Sequence, residues 1–169
     1  MIQIKVLSIK KEKTLILVQF VILMTISLLA PLIKNQLISG SIVNAMLFVS
    51  TSLFGLPAGI LIGLLPSFFA LAAGLLPMIL APMIPFIITA NVILVVVFNS
   101  LKSKNYWLAV ISAGFLKFGF LFLTSLMLIN LFLNQQTAAK AAVIMGWPQL
   151  FTALIGGLIS YLFLKNIKK

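Results

Sequence analysis

The strongest constraint on this chain is the near absence of charge over most of its length. Six apolar runs, Thr14 to Ile33, Ser41 to Phe54, Leu56 to Ala73, Pro82 to Ser100, Tyr106 to Leu133 and Ala141 to Leu164, contain one charged side chain between them, Lys117. A domain that folds in water carries about 25% charged residues. Here 8% are charged and 63% hydrophobic, so most of the surface must face lipid. Runs near 20 residues match the ~30 Å hydrocarbon core of a bilayer when helical. Barrel strands would alternate apolar and polar over about ten residues, whereas these runs are continuously apolar. The prediction is an all-α integral membrane protein, a bundle of six transmembrane helices forming a single domain over residues 1–169. The second run is short. At ~1.5 Å per residue its fourteen positions reach only ~21 Å, which places it inside the bundle with its ends covered by neighbours.

Lysines set the orientation, because basic residues are retained on the cytoplasmic side. All twelve basic residues are lysine. Nine fall on one side: Lys5, Lys10, Lys11 and Lys13 before the first run, Lys102 and Lys104 between the fourth and fifth, and Lys165, Lys168 and Lys169 after the sixth. Lys34 and Lys140 fall on the other side. Both termini are therefore expected in the cytoplasm, with residues 1–13 forming a basic segment there. The first run is about twice as long as the apolar core of a signal peptide and lacks a small-x-small cleavage site, so it is expected to be retained. The net charge of +11 does not suggest nucleic acid, because the lysines lie between apolar runs and form no basic stripe.

The missing residue types exclude whole chemistries. Without cysteine or histidine there is no thiol nucleophile, no Ser-His-Asp triad and no usual zinc, nickel or cobalt ligand set. With Glu12 the only acid, there is no carboxylate pair for acid/base work and no carboxylate chain for carrying protons. An enzyme is not expected, and no cofactor is implied.

The breaks between runs differ in kind. Phe54-Gly55-Leu56-Pro57 is a tight hairpin, with Pro57 suited to the first turn of the next helix. The stretch from Gly74 to Pro85 is uncharged and interrupted by Pro77, Pro82 and Pro85. Such a segment folds over the mouth of a pocket or rests on lipid headgroups. Gly55, Gly59, Gly63 and Ser67 recur every four positions on one face of the third helix, where backbones can approach closely. That face packs within the bundle or docks a partner subunit. Pro66 removes a donor there and frees the carbonyl of Ile62. A weaker ladder, Thr152, Gly156 and Ser160, marks the last helix.

Polar groups within the runs are the candidate binding residues, since each needs a partner away from water. Asn44, Asn91, Lys117, Trp147 and Gln149 are these candidates. Trp147 is otherwise an interfacial anchor, and the asparagines otherwise bond between helices. Lys117 stands apart. A lysine near the midplane costs ~2.5–3.5 kcal/mol on insertion scales, and the bundle offers no carboxylate to pair with it. It must be neutral, hydrated, snorkelled, bound to backbone carbonyls or matched by the anion of a small-molecule substrate. Helical spacing puts Ala113, Gly114, Phe120, Leu121 and Thr124 on its face.

Six short spans, together with Ser41-Ile42-Val43-Asn44-Ala45, the run Gly55 to Leu65, Ala81-Pro82-Met83-Ile84-Pro85-Phe86-Ile87, Leu116-Lys117-Phe118 and Trp147-Pro148-Gln149-Leu150, resemble the substrate-binding S components of energy-coupling factor (ECF) transporters. The resemblance is closest to a branch with no firmly assigned substrate. It implies a subunit that captures a vitamin or similar micronutrient from outside and works with a transmembrane coupling protein and two ATPases. It also implies Asn44, Asn91, Lys117, Trp147 and Gln149 as pocket residues. The first span lacks the alanine-x-x-x-alanine docking pattern of many members, which leaves the Gly55, Gly59, Gly63 face as the candidate docking surface. Metal-transporting relatives depend on an N-terminal histidine, so nickel and cobalt are not expected. Two other functions remain open on sequence. A stand-alone carrier would have to work without an intramembrane acid. A scaffold or holin-like protein would leave Lys117 and the proline-rich connection unexplained.

Overall fold

The computed structural model describes residues 2–75, 78–132 and 143–167, with side chains described at 13–75, 81–127 and 143–167. Leu76, Pro77, Leu133, Lys140, Ala141, Lys168 and Lys169, which enter the sequence expectations, lie outside the described residues. Six long helices follow one another: α1 (Ile2–Leu29), α2 (Gln36–Phe54), α3 (Leu56–Ala72), α4 (Ile84–Leu101), α5 (Tyr106–Phe132) and α6 (Trp147–Ile167). Among the described residues there is no strand. Five stretches are long and apolar enough to cross a membrane, and α3 is a shorter apolar helix.

Among the span starts, that of the second departs furthest from the sequence expectation. α2 begins at Gln36, not Ser41, and its nineteen residues make it a full-length span. The polar residues at its start obscured this, yet each supports the helix. Asn35 caps it by accepting from the Ile38 amide at 3.2 Å. Ser39 and Ser41 donate back to the carbonyls of Asn35 and Leu37. A 3-10 turn, Ala30–Ile33, and Lys34 at φ 55° lead from α1 into this cap. Gly55, at φ 87° and ψ −177°, makes the α2–α3 hairpin, a backbone conformation that a Cβ would strain.

α2 is the central helix and meets all the others except α5 in its principal contacts; its most extensive contact is with α6. Small residues permit that approach. A Cβ built on Gly156 would stand 2.8 Å from both the Ala45 amide nitrogen and the Ser41 carbonyl oxygen, and one on Gly40 would stand 2.9 Å from Thr152 Cγ2. The weaker ladder of the last helix therefore brings its backbone close to that of α2. α5 runs antiparallel to α4 and to α6, with Phe86 beside Phe120, Phe98 beside Tyr106, Trp107 beside Tyr161 and Phe118 beside Trp147. α1 is peripheral, packing on α2, α3 and its own 3-10 turn, with most of its span exposed.

The core has two apolar layers. One, towards the lysine-rich end, gathers Phe48, Leu94, Val95, Phe98, Val110 and Ala113. The other, at the opposite end, gathers Met83, Ala90, Leu121 and Met145. Met83 closes the 3-10 turn Met78–Met83 in the proline-rich connection, so this segment packs on the helix ends at its α4 side. Lys117 is four residues from both Ala113 and Leu121 on α5, which places it between the layers.

Candidate functional site

Lys117 is 4% exposed, Asn44 1% and Asn91 3%, and the three side chains meet at mid-bundle. The Lys117 Nζ donates to Asn44 Oδ1 at 2.7 Å and to Asn91 Oδ1 at 2.8 Å. The sequence options for this lysine included backbone carbonyls; the acceptors are carboxamide oxygens of α2 and α4. Each carboxamide is held in that orientation from behind. Asn44 Nδ2 donates to Thr152 Oγ1 on α6 at 3.2 Å, and the Thr152 hydroxyl donates to the Gln149 carbonyl at 3.0 Å. Asn91 Nδ2 donates to the Gly63 carbonyl on α3 at 3.0 Å. With their NH2 groups engaged elsewhere, both amides must turn oxygen towards the lysine.

One side chain thus ties five helices together: its own α5, α2 and α4 directly, α6 through Thr152 and α3 through Gly63. Of the six helices described, α1 alone stands outside this hub. The Gly63 carbonyl lies one residue beyond the Ile62 carbonyl expected to be freed by Pro66, and α3 continues as a helix through that proline. The hub contains no carboxylate. Glu12 precedes the first span, while Lys117 lies eleven residues into the span that starts at Tyr106, or ~16 Å along the helix. Lys117 therefore holds three donors if charged, and two of them are engaged among the described residues.

The other sequence candidates fall elsewhere. Trp147 is 62% exposed and stacks on Phe118 with ring centroids 5.0 Å apart, on the outer surface of α5. This is the anchor-like placement, and the indole does not join the hub. Gln149 enters only through its backbone. Its side chain donates to the Ile144 carbonyl at 3.3 Å, an oxygen that also accepts from Gln36 Nε2 at 2.6 Å, so the start of α6 is tied to the start of α2. Thr152, which sequence reading placed in a small-residue ladder, is the missed member of the hydrogen-bonded hub. A hydroxyl at the first position of that ladder was the available signal.

The docking expectation for Gly55, Gly59 and Gly63 meets a geometric correction. A Cβ on Gly59 would run into Thr51 Oγ1 and Val95 Cγ1, and one on Gly63 would meet Asn91 Cβ at 3.2 Å and Leu47 Cδ2 at 3.4 Å. Both glycines are buried against α2 and α4, and Gly55 serves the hairpin. The face is filled by the chain's own helices because α3 must come close enough for its Gly63 carbonyl to reach Asn91.

Fold and hub together define a multi-pass helical membrane protein with a polar site enclosed at mid-depth. The chain belongs to the family described as "ECF transporter, substrate-specific component", whose model matches residues 15–167. No curated protein and no solved structure matches it. The family places it in the cell membrane as a transport subunit.

Proposed function

We propose that this chain captures a vitamin or related micronutrient as the membrane-embedded subunit of an ECF importer, with a transmembrane coupling protein and two ATPases as partners. Family membership supports the role of substrate-specific component. The observation that carries the binding site is the buried Lys117, held by Asn44 and Asn91 without a counter-ion. Interhelical packing alone is served by small residues at no such expense, as the α2–α6 crossing shows. A lysine at this depth is expected where solute is handled. The substrate contacts are assigned to Lys117, Asn44 and Asn91, with Thr152 and Gln149 fixing the geometry behind them. By the lysine distribution the lysine-poor end, with Met83 and Met145, faces outward, so solute enters past that apolar layer. Partner docking is assigned to exposed apolar surface outside the glycine ladder.

Affinity purification of the tagged chain from its own host, with mass spectrometry of both proteins and small molecules, tests this reading. The expected result is a membrane coupling protein, ATPase subunits and a retained solute, with ATP-dependent uptake of that solute once the complex is placed in vesicles. A chain recovered alone, with nothing retained and no uptake, would refute it.

A further inference from the structure

The hub also says which chemical class it receives. We infer that the substrate is a small organic anion whose charged group is taken by Lys117 between Asn44 and Asn91; this rests on the substrate-capture reading above. The argument is an inventory of donors. Asn44 Nδ2 is engaged by Thr152, Asn91 Nδ2 by the Gly63 carbonyl, and the Thr152 hydroxyl by the Gln149 carbonyl. The donors left among these residues are one N–H on each carboxamide and, with Lys117 protonated, the third N–H of its ammonium. With Lys117 protonated, the hub presents one positively charged donor beside two neutral ones.

Charge then selects the ligand. A cationic group is repelled, and a neutral acceptor gains an ordinary hydrogen bond. An anion gains a shorter, charge-assisted bond and supplies the counter-charge the chain lacks. Low dielectric between the two apolar layers strengthens that preference. A merely structural tie between α2, α4 and α5 would not require a charge, because a neutral amide can also donate twice. Membrane lipid is an unsuitable source of the anion. Lipid phosphates lie at the interface, and Lys117 is near mid-span.

The test separates a low-molecular-weight extract of rich growth medium on an anion-exchange resin into a retained, anionic fraction and an unretained, neutral and cationic one. Each is added to the purified chain in detergent and thermal unfolding is followed. Lys117→Met removes the charge. Asn44→Asp supplies the counter-charge from within the chain and repels an incoming anion, so the proposal remains testable even if the methionine variant fails to fold. Lys104→Met, at the exposed α4–α5 turn, controls for surface charge. The expected result is a rise in Tm of about 5–10 °C at saturation with the retained fraction. That rise should be kept in Lys104→Met and lost in Lys117→Met and Asn44→Asp. Activity in the unretained fraction would overturn the anion proposal while leaving substrate capture standing. A rise that survives in both Lys117→Met and Asn44→Asp would overturn the assignment to the hub. No activity in either fraction would overturn substrate capture as well.

Discussion

Replacing the two hub asparagines one at a time by aspartate should move stability in opposite directions. Each change swaps an NH2 for an oxygen and adds a negative charge beside Lys117. Lys117 then gains a charge-assisted bond, worth about 1.5–3 kcal/mol against 0.5–1.5 for the neutral one. The two sites differ in what lies behind the amide. Asn44 Nδ2 donates to a hydroxyl, Thr152 Oγ1, which can rotate away from the Gln149 carbonyl and donate to the new carboxylate. Asn91 Nδ2 donates to the Gly63 carbonyl, which can only accept. Asn91→Asp therefore loses the bond to Gly63 and sets two buried oxygens against each other, a loss of about 1–3 kcal/mol. Asn44→Asp should raise Tm by roughly 2–4 °C, the shift for about 1 kcal/mol in a chain of this size. Asn91→Asp should lower Tm by at least as much. Thermal unfolding of the purified chain in one detergent measures both. Equal shifts of the same sign would refute the reasoning. Two losses would mean that Lys117 is not the charged donor assumed, and two gains that the Gly63 bond contributes nothing.

The glycine positions separate in the same assay: Gly156→Ala forces a Cβ onto the backbone of α2 and should destabilise by about 1–3 kcal/mol, whereas Gly119→Ala meets nothing within 4 Å and should gain about 0.5–1 kcal/mol of helix propensity. A larger loss at Gly119 would contradict the packing. Lys102 Nζ donates to the Thr51 carbonyl near the end of α2, and burial lowers its pKa from 10.5. The unfolded chain then binds more protons, so stability should rise as pH climbs through the folded value towards 10.5, and Lys102→Met should flatten that slope. The rise is small because much of the ammonium remains in water, and a slope unchanged by the substitution would assign it elsewhere. A cysteine at the exposed position of Lys104 should resist an impermeant reagent in intact cells, while one at Lys34 should react; the reverse pattern would invert the topology.

Sequence alone determined that this chain is a helical membrane bundle, because long uncharged runs have no stable alternative in water and lysine spacing counts the crossings. It also singled out Lys117, Asn44 and Asn91, since a polar group in an apolar run must find a partner. The start of α2 was harder to see. Gln36, Ser39 and Ser41 lower the apolar signal, yet the two serines bond back to carbonyls one turn earlier and Gln36 bonds across the bundle to the Ile144 carbonyl. What only the tertiary structure decided is which polar groups meet. Asn44 and Asn91 are 47 positions apart, and nothing local relates them to Lys117 or to Thr152. Their meeting depends on the close α2–α6 and α3–α4 approaches allowed by Gly156 and Gly63. The same geometry sent Trp147 outward onto Phe118 and closed the Gly59 face, because the direction of a helix face is set by its neighbours and not by its own residues.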